Sequence, residues 1–450
     1  MSEISRRRFV QSGIGSAAAL FAMQRLGMFT SLAHASSSYR ALVCIFLFGG
    51  NDSNNVVIPL DDYATYAAVR GSAGTLNIAQ DSLLPIAPPS AAATFGLHPS
   101  LAPLHPVFNE GRLAMVCNVG PLVEPLIRSQ YLARNVPLPL NLFSHSDQQQ
   151  QWQTCVSTGP SATGWGGRTA DRFAGTETFP SMISVAGLQT FVAASTVRPL
   201  TMTPGQAFAL AGYTSGSAAA KARYAALQEL LALDRQHALI ASANDTTSLA
   251  IQNSAALASL PVLDTTFPNT SLGNQLKQIA QLIQLNRDQI GLSQQIFFCS
   301  LGGFDTHNGQ LTTQSTLLGQ LAAAMAAFDA SMTSLSMSDA VTTFTLSDFS
   351  RTFQPNNTAG TDHAWGAHHF VMGGAVQGGD FYGRFPTLAP NGPDDTDSGS
   401  GARGRWIPTT AVDQYAATLA RWYGVPDVDL PAVLPNLGRF DAANLGFLNS

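Results

Sequence analysis

Three acids follow short apolar runs at separated points of this 450-residue chain. Asp52 comes after the run 41–48, Asp305 after 296–301 and Asp348 after 341–346. Glycine pairs (Gly49-Gly50 and Gly302-Gly303) intervene in the first two cases and let the backbone turn tightly before the acid. His307 stands two residues beyond Asp305, and of nine histidines four, His307, His363, His368 and His369, fall in just two segments. Carboxylates and imidazoles crowded into one crevice repel or sit idle without a cation. Together they are the ligand set of zinc, manganese or iron in a hydrolytic site. Two ions about 4 Å apart would clamp the attacking and leaving oxygens of an in-line displacement at phosphorus or sulfur.

Each residue also has a plainer role. Asp305 and His307 read equally as a Gly-rich turn with an Asp cap and a surface histidine. Asp362 reads as a turn cap and His363 as a partner behind the ligands. Adjacent residues of a strand point to opposite faces, so one of His368 and His369 is expected to reach the site. Arg351 either neutralises Asp348 or contacts an anionic substrate, and Asn54 and Asn55 are turn residues before they are ligands.

These residues need elements to hold them. Continuous apolar runs as short as 41–48 and 296–301 read as strands buried on both faces, with 113–119 and 341–346 alongside. Acids after three such strands place one polar site at one edge of a mostly parallel sheet. Short strands are expected at 181–185, 191–194 and 370–376, and helices at 61–70, 101–109, 164–174, 271–287, 311–335 and 411–423. A Pro/Ala-rich loop runs through Pro89, and 394–401 reads as a mobile Gly/Ser/Asp-rich loop. The Ala/Leu-rich stretch 218–260 adds one or two helices, making 205–292 a helical insertion. Ser144-His145-Ser146-Asp147 opens a Gln-rich helix through Thr154. Either residue type there caps the helix, while a hydroxyl at a helix N-terminus also serves as a nucleophile beside an anion.

Only 11% of residues are charged and the formal net charge is −5, which argues against nucleic-acid binding. Ser5-Arg6-Arg7-Arg8-Phe9-Val10, a weakly apolar run and Ala33-His34-Ala35 form, in the required order, a bacterial twin-arginine export signal. Residues 1–35 are therefore expected to be removed by the export route, leaving one domain, 36–450, in the periplasm or medium without a stable membrane span. Four cysteines without C-x-x-C or Cys/His spacing argue against a zinc–thiolate site. They read as buried free thiols, with a bridge from Cys44 to Cys117 or Cys299 left open.

F-x-x-G-G-x-D-x-x-N from Phe46, SHSD at Ser144, TGWGGR at Thr163, SLGGFDTH at Ser300, SDFSRT at Ser347 and GTDHAWGAHHFVMGGAVQGGDFYG at Gly360, with the leader, resemble the exported bacterial family called domain of unknown function 1501. That resemblance implies an alkaline phosphatase-like α/β fold, a mostly parallel sheet sandwiched by helices with metal at the strand ends. It implies divalent ions, one or two, zinc first with manganese, calcium and iron as alternatives. Asp52, Asp305 with His307, Asp348, and His363 with His368 or His369 would hold them. The position of a superfamily nucleophile falls on Ser144, with Ser146 second and His145 as base or ligand, and Arg351 or Arg168 would hold a small anionic ester. No C-x-P-x-R motif occurs, which disfavours formylglycine sulfatase chemistry, and Asp348 stands where the matching motif usually has Glu. The expected function is an exported metal-dependent hydrolase of phosphate or sulfate esters, with a small anionic ester as substrate and the twin-arginine translocation machinery as its protein partner. The alternative is a non-catalytic metal-bearing partner in cell-envelope assembly.

Overall fold

The computed structural model describes residues 39–71, 76–175, 179–205, 216–233, 236–258 and 260–449, so the export signal expected at residues 1–35 lies outside the described residues. Twelve strands and eight longer helices are used below: β1 Arg40–Leu47, β2 Val57–Pro59, α1 Tyr63–Arg70, β3 Leu84–Ile86, β4 Phe95–Leu97, β5 Leu113–Gly120, α2 His145–Thr154, α3 Trp165–Asp171, β6 Met182–Ser184, β7 Leu200–Thr201, α4 Ala218–Leu231, α5 Ala238–Leu257, α6 Ser271–Leu285, β8 Gln294–Leu301, α7 Gln310–Ser334, β9 Val341–Ser347, β10 Ala367–Met372, β11 Phe381–Tyr382, β12 Thr410–Ala411 and α8 Val412–Tyr423. Nine strands form one sheet in the order β11-β5-β10-β9-β1-β8-β6-β7, with β12 added to β5. β10 runs against both its neighbours, and the other pairings in this sheet are parallel.

β1, the middle strand, is buried along all but its first residue, as a strand covered on both faces must be. Val43, Ile45, Phe297 and Cys299 face one layer, where α6 and α7 supply Leu276, Ile279, Leu321 and Met325. Cys44, Phe46, Phe298 and Phe344 face the other, where α2, α3 and α8 supply Trp152, Trp165 and Tyr415. Each such side chain contributes roughly 1.5–3 kcal/mol on burial, so packing on the sheet contributes strongly to holding both layers. The same alternation separates Cys44 from Cys117 and Cys299, which point into the opposite layer. A bridge between them is excluded, and all four thiols are free and buried.

Register fixes the working edge. Leu47 of β1 stands opposite Leu301 of β8 and Ser347 of β9, so the three acid-bearing loops leave the sheet side by side. Because β10 is reversed, its beginning lies at that same rim and delivers 361–366 there.

Three local expectations change. The strand expected at 191–194 is a 3-10 turn, Thr190–Val192. The strand expected at 370–376 lies earlier, at Ala367–Met372, because the backbone leaves the sheet at Gly373, where φ is +155° and a Cβ would sit 2.4 Å from the Val341 carbonyl oxygen. Within the segment read as Pro/Ala-rich loop, β3 joins β2 and β4 in a small antiparallel sheet, its strands too short to carry a period. No helix among the described residues is long and apolar enough to cross a membrane.

Candidate metal site

Two backbone loops meet tightly at the rim. Gly49 has φ +112° and a Cβ there would lie 2.3 Å from the Asp305 nitrogen, so only glycine lets the loop after β1 rest on the loop after β8. Arg351, buried on the loop after β9, laces the loops together. It donates to the Gly49 carbonyl, to Gly50 O at 3.0 Å, to Thr361 O at 3.0 Å and to Asp305 Oδ1. Burial would raise the Asp305 carboxyl, but the hydrogen bond and charge of Arg351, with His145 and His307 nearby, outweigh it and hold Asp305 below its usual range.

Three imidazoles converge on Asp305 Oδ1. The Nε2 atoms of His307, His145 and His363 lie 3.1, 3.4 and 3.8 Å from it. Each ring is turned by a partner behind it: His145 Nδ1 is 2.6 Å from Asp348 Oδ2, His363 Nδ1 2.7 Å from Phe143 O and His307 Nδ1 3.3 Å from Asp362 Oδ1. Those oxygens accept, so each Nδ1 carries the proton, and in the neutral ring each Nε2 then holds a lone pair. With both rings in that neutral form, His307 and His363 would aim lone pairs at one another across 3.0 Å, beside a carboxylate. Positive charge at the centre, a metal ion or a proton on one Nε2, satisfies that arrangement.

A first-row divalent ion fits that need. Bonds of about 2.0–2.2 Å in a tetrahedron put ligand atoms about 3.3–3.6 Å apart; the three distances to Asp305 Oδ1 and the one between His307 and His363 are 3.0–3.8 Å. His145 Nε2 is buried without a hydrogen bond. A carboxylate or carbonyl behind every ring is the usual backing of metal-bound histidine. Burial keeps His363 below its usual range against the pull of its Phe143 bond, and the Asp348 hydrogen bond raises His145. Among the described residues, His145, Asp305 and His363 make the group of donors close enough to share an ion, with His307 against two of them.

The remaining candidates lie elsewhere. Asp348 is fully buried behind His145, where it also accepts from Gly49 N at 3.2 Å and Gln149 Nε2 at 2.8 Å; it orients a ring instead of facing the centre. Asp52 is turned into the interior, ion-paired with Arg70 and bonded by Gln310 and Asn54, and it is not among the donors grouped around Asp305. His368 accepts from Asn118 N at 2.9 Å and stacks on Phe385, whereas His369 packs against Trp152 and Tyr415. Both are buried in β10 and neither is brought to Asp305. Ser144 begins α2 without capping it; its hydroxyl donates to Asp147 Oδ2 at 2.6 Å. Arg168 is spent on the carbonyls of Thr163, Thr154 and Val433.

Sequence reasoning did not give Asp362, Gln149 or the Phe143 carbonyl their roles behind the rings. Gln149 had a signal, lying one helical turn from His145. Asp362 adjoins His363 but serves His307, which no local pattern reveals.

The fold and site together define a mixed, mostly parallel α/β protein with a three-histidine, one-aspartate cluster at its strand ends. The chain belongs to the family described as protein of unknown function DUF1501, whose model matches residues 39–396. No curated protein matches it in sequence. Among solved structures, Ps i-CgsB in complex with k-i-k-neocarrahexaose aligns over 89% of this chain and 77% of its own, at 7% identity and a TM-score of 0.35. The PsFucS1 sulfatase from Pseudoalteromonas sp. aligns over 87% of this chain and 68% of its own, at 8% identity and a TM-score of 0.33. Likeness at that level carries no chemistry across.

Proposed function

We propose that this protein is an exported, metal-dependent hydrolase of phosphate or sulfate esters, with one divalent ion held by His145, His307, His363 and Asp305. The observation that carries the reading is the convergence of three Nε2 atoms on one carboxylate oxygen, each ring held by a bond on its other nitrogen. A divalent ion bound there supplies Lewis-acid polarisation of an ester oxygen and offsets charge that develops on it. Asp305 and His307 are the more exposed members, at 51% and 44% of their side chains, so substrate approaches from their side while Asp348 stays sealed behind. We assign attack to Ser144: as Oγ bonds to phosphorus or sulfur its proton passes along the existing bond to Asp147, and the bond to the ester's leaving oxygen breaks. That alkoxide departs with a proton from water, and a second water then hydrolyses the seryl ester to release phosphate or sulfate and restore the hydroxyl. The twin-arginine leader supports export and an encounter with that machinery.

Elemental analysis of the purified mature chain, coupled to a screen of phosphate mono- and diesters and sulfate esters, tests the reading. About one ion per chain and turnover of one ester class, abolished by Ser144→Ala with metal retained, is the expected result. An ion without turnover points instead to the metal-bearing scaffold of envelope assembly, and no ion removes the reading.

A further inference from the structure

Behind the cluster runs the strap 391–405, closed by an antiparallel bridge between Asp395 and Trp406. Its composition suggests a mobile loop, yet it is wound around one carboxylate. Asp395, fully buried, accepts four backbone N–H groups: Asn391 at 2.8 Å and Gly404 at 3.1 Å on Oδ2, Arg405 at 2.9 Å and Asp397 at 3.0 Å on Oδ1. Asp397 then takes Arg403 N at 3.1 Å and the Arg405 guanidinium at 2.8 Å. Two carboxylates thereby fix where Arg403 and Arg405 leave the strap.

Both arginines end on the groups that turn the histidines. Arg403 Nη1 lies 2.9 Å from Asp362 Oδ2, and Asp362 holds His307. Arg405 Nε donates to the His363 carbonyl at 2.8 Å, and its guanidinium lies 5.3 Å from the ring centre of Phe143, whose carbonyl holds His363. We propose that Asp395 is a positioning residue for the metal site, setting the aim of His307 and His363 through Arg403 and Arg405. The inference rests on the metal reading above.

The test uses Co²⁺ alone, added to the metal-free mature chain, reading both affinity in competition with a chelator and the visible ligand-field bands that report coordination geometry. Asp395→Asn replaces an acceptor oxygen with an NH₂ facing two N–H donors. Relative to wild type it is expected to weaken Co²⁺ about 10- to 100-fold, the usual cost of losing support behind a ligand, and to alter the bands. Ser398→Ala, exposed on the same strap, is expected to change neither. If Asp395→Asn does not fold by near-ultraviolet circular dichroism, the double variant Arg403→Gln, Arg405→Gln carries the same expectation. Wild-type affinity and bands in the folded variant overturn this inference alone. A wild-type chain that takes up no Co²⁺ overturns the metal reading and this inference with it.

Discussion

His145 owes its orientation to Asp348, a carboxylate 203 positions further along the chain. Asp348→Asn keeps the size and an acceptor oxygen but removes the charge that fixes the ring, so metal affinity is expected to fall about 10- to 100-fold. Competition with a fluorescent chelator measures it, and an unchanged affinity would return Asp348 to a purely structural role. The acids after the strands were legible in the sequence because an apolar run announces each one, with Gly-Gly as a second mark before Asp52 and Asp305. Which way each points was not. Asp52 and Asp305 follow the same strand-turn pattern, but Arg70 one helix later captures Asp52, while Arg351 leaves Asp305 half exposed at the rim. That choice is made by partners remote in sequence.

At the scale of elements, two buried groups give opposite pH dependences. His368 and His369 in β10 are pushed by burial down to about 3, against about 6.5 in the unfolded chain. The folded state therefore refuses protons that the unfolded state takes up, and the stability contributed by these neutral rings is complete above pH ~6.5 and lost as pH falls toward 3. The slope approaches ~1.4 kcal/mol per pH unit for each ring. Denaturant unfolding between pH 6 and 4 is expected to show it, and His369→Phe, which keeps the ring against Trp152, to remove about half. Asp413 in α8 behaves the other way. Burial lifts it to about 7, with no side chain donating to either oxygen. The unfolded chain sheds that proton near pH ~3.9, so this group costs stability progressively as pH rises from about 4 to 7. Asp413→Asn is expected to gain up to about 4 kcal/mol at pH 8 and almost nothing at pH 4; equal effects at both would show that the carboxyl is ionised in the fold. Helices and long strands were legible because burial on one face leaves a period and burial on both leaves a continuous apolar run. The 3-10 turn Thr190–Val192 and the three-residue strands β2 to β4 are too short to leave one.

For the whole molecule, the arrangement that matters is the adjacency of β8, β1 and β9. Sequence patterns identify strands that are buried on both faces, but strand order is set by crossovers and carries no local mark. Reversal of β10 is equally silent, yet it brings His363 to the rim. Since the donors come from segments as far apart as α2 and the approach to β10, they exist as a site only in the folded chain, and bound metal stabilises that state alone. At a hundredfold excess over Kd the gain is about 2.7 kcal/mol, so removing metal with a chelator should lower the melting temperature and restoring one equivalent should return it. A melting curve indifferent to the chelator would mean that the cluster closes without a cation.

The convergence of His145, His307 and His363 with Asp305 on one ion is tested most directly by X-ray absorption at the zinc edge of the zinc-loaded chain. Nitrogen and oxygen neighbours at about 2.0–2.2 Å, with outer-shell scattering from three imidazoles that falls to two in His145→Ala, is the predicted result. A spectrum without imidazole scattering, or one that His145→Ala leaves unchanged, would contradict it.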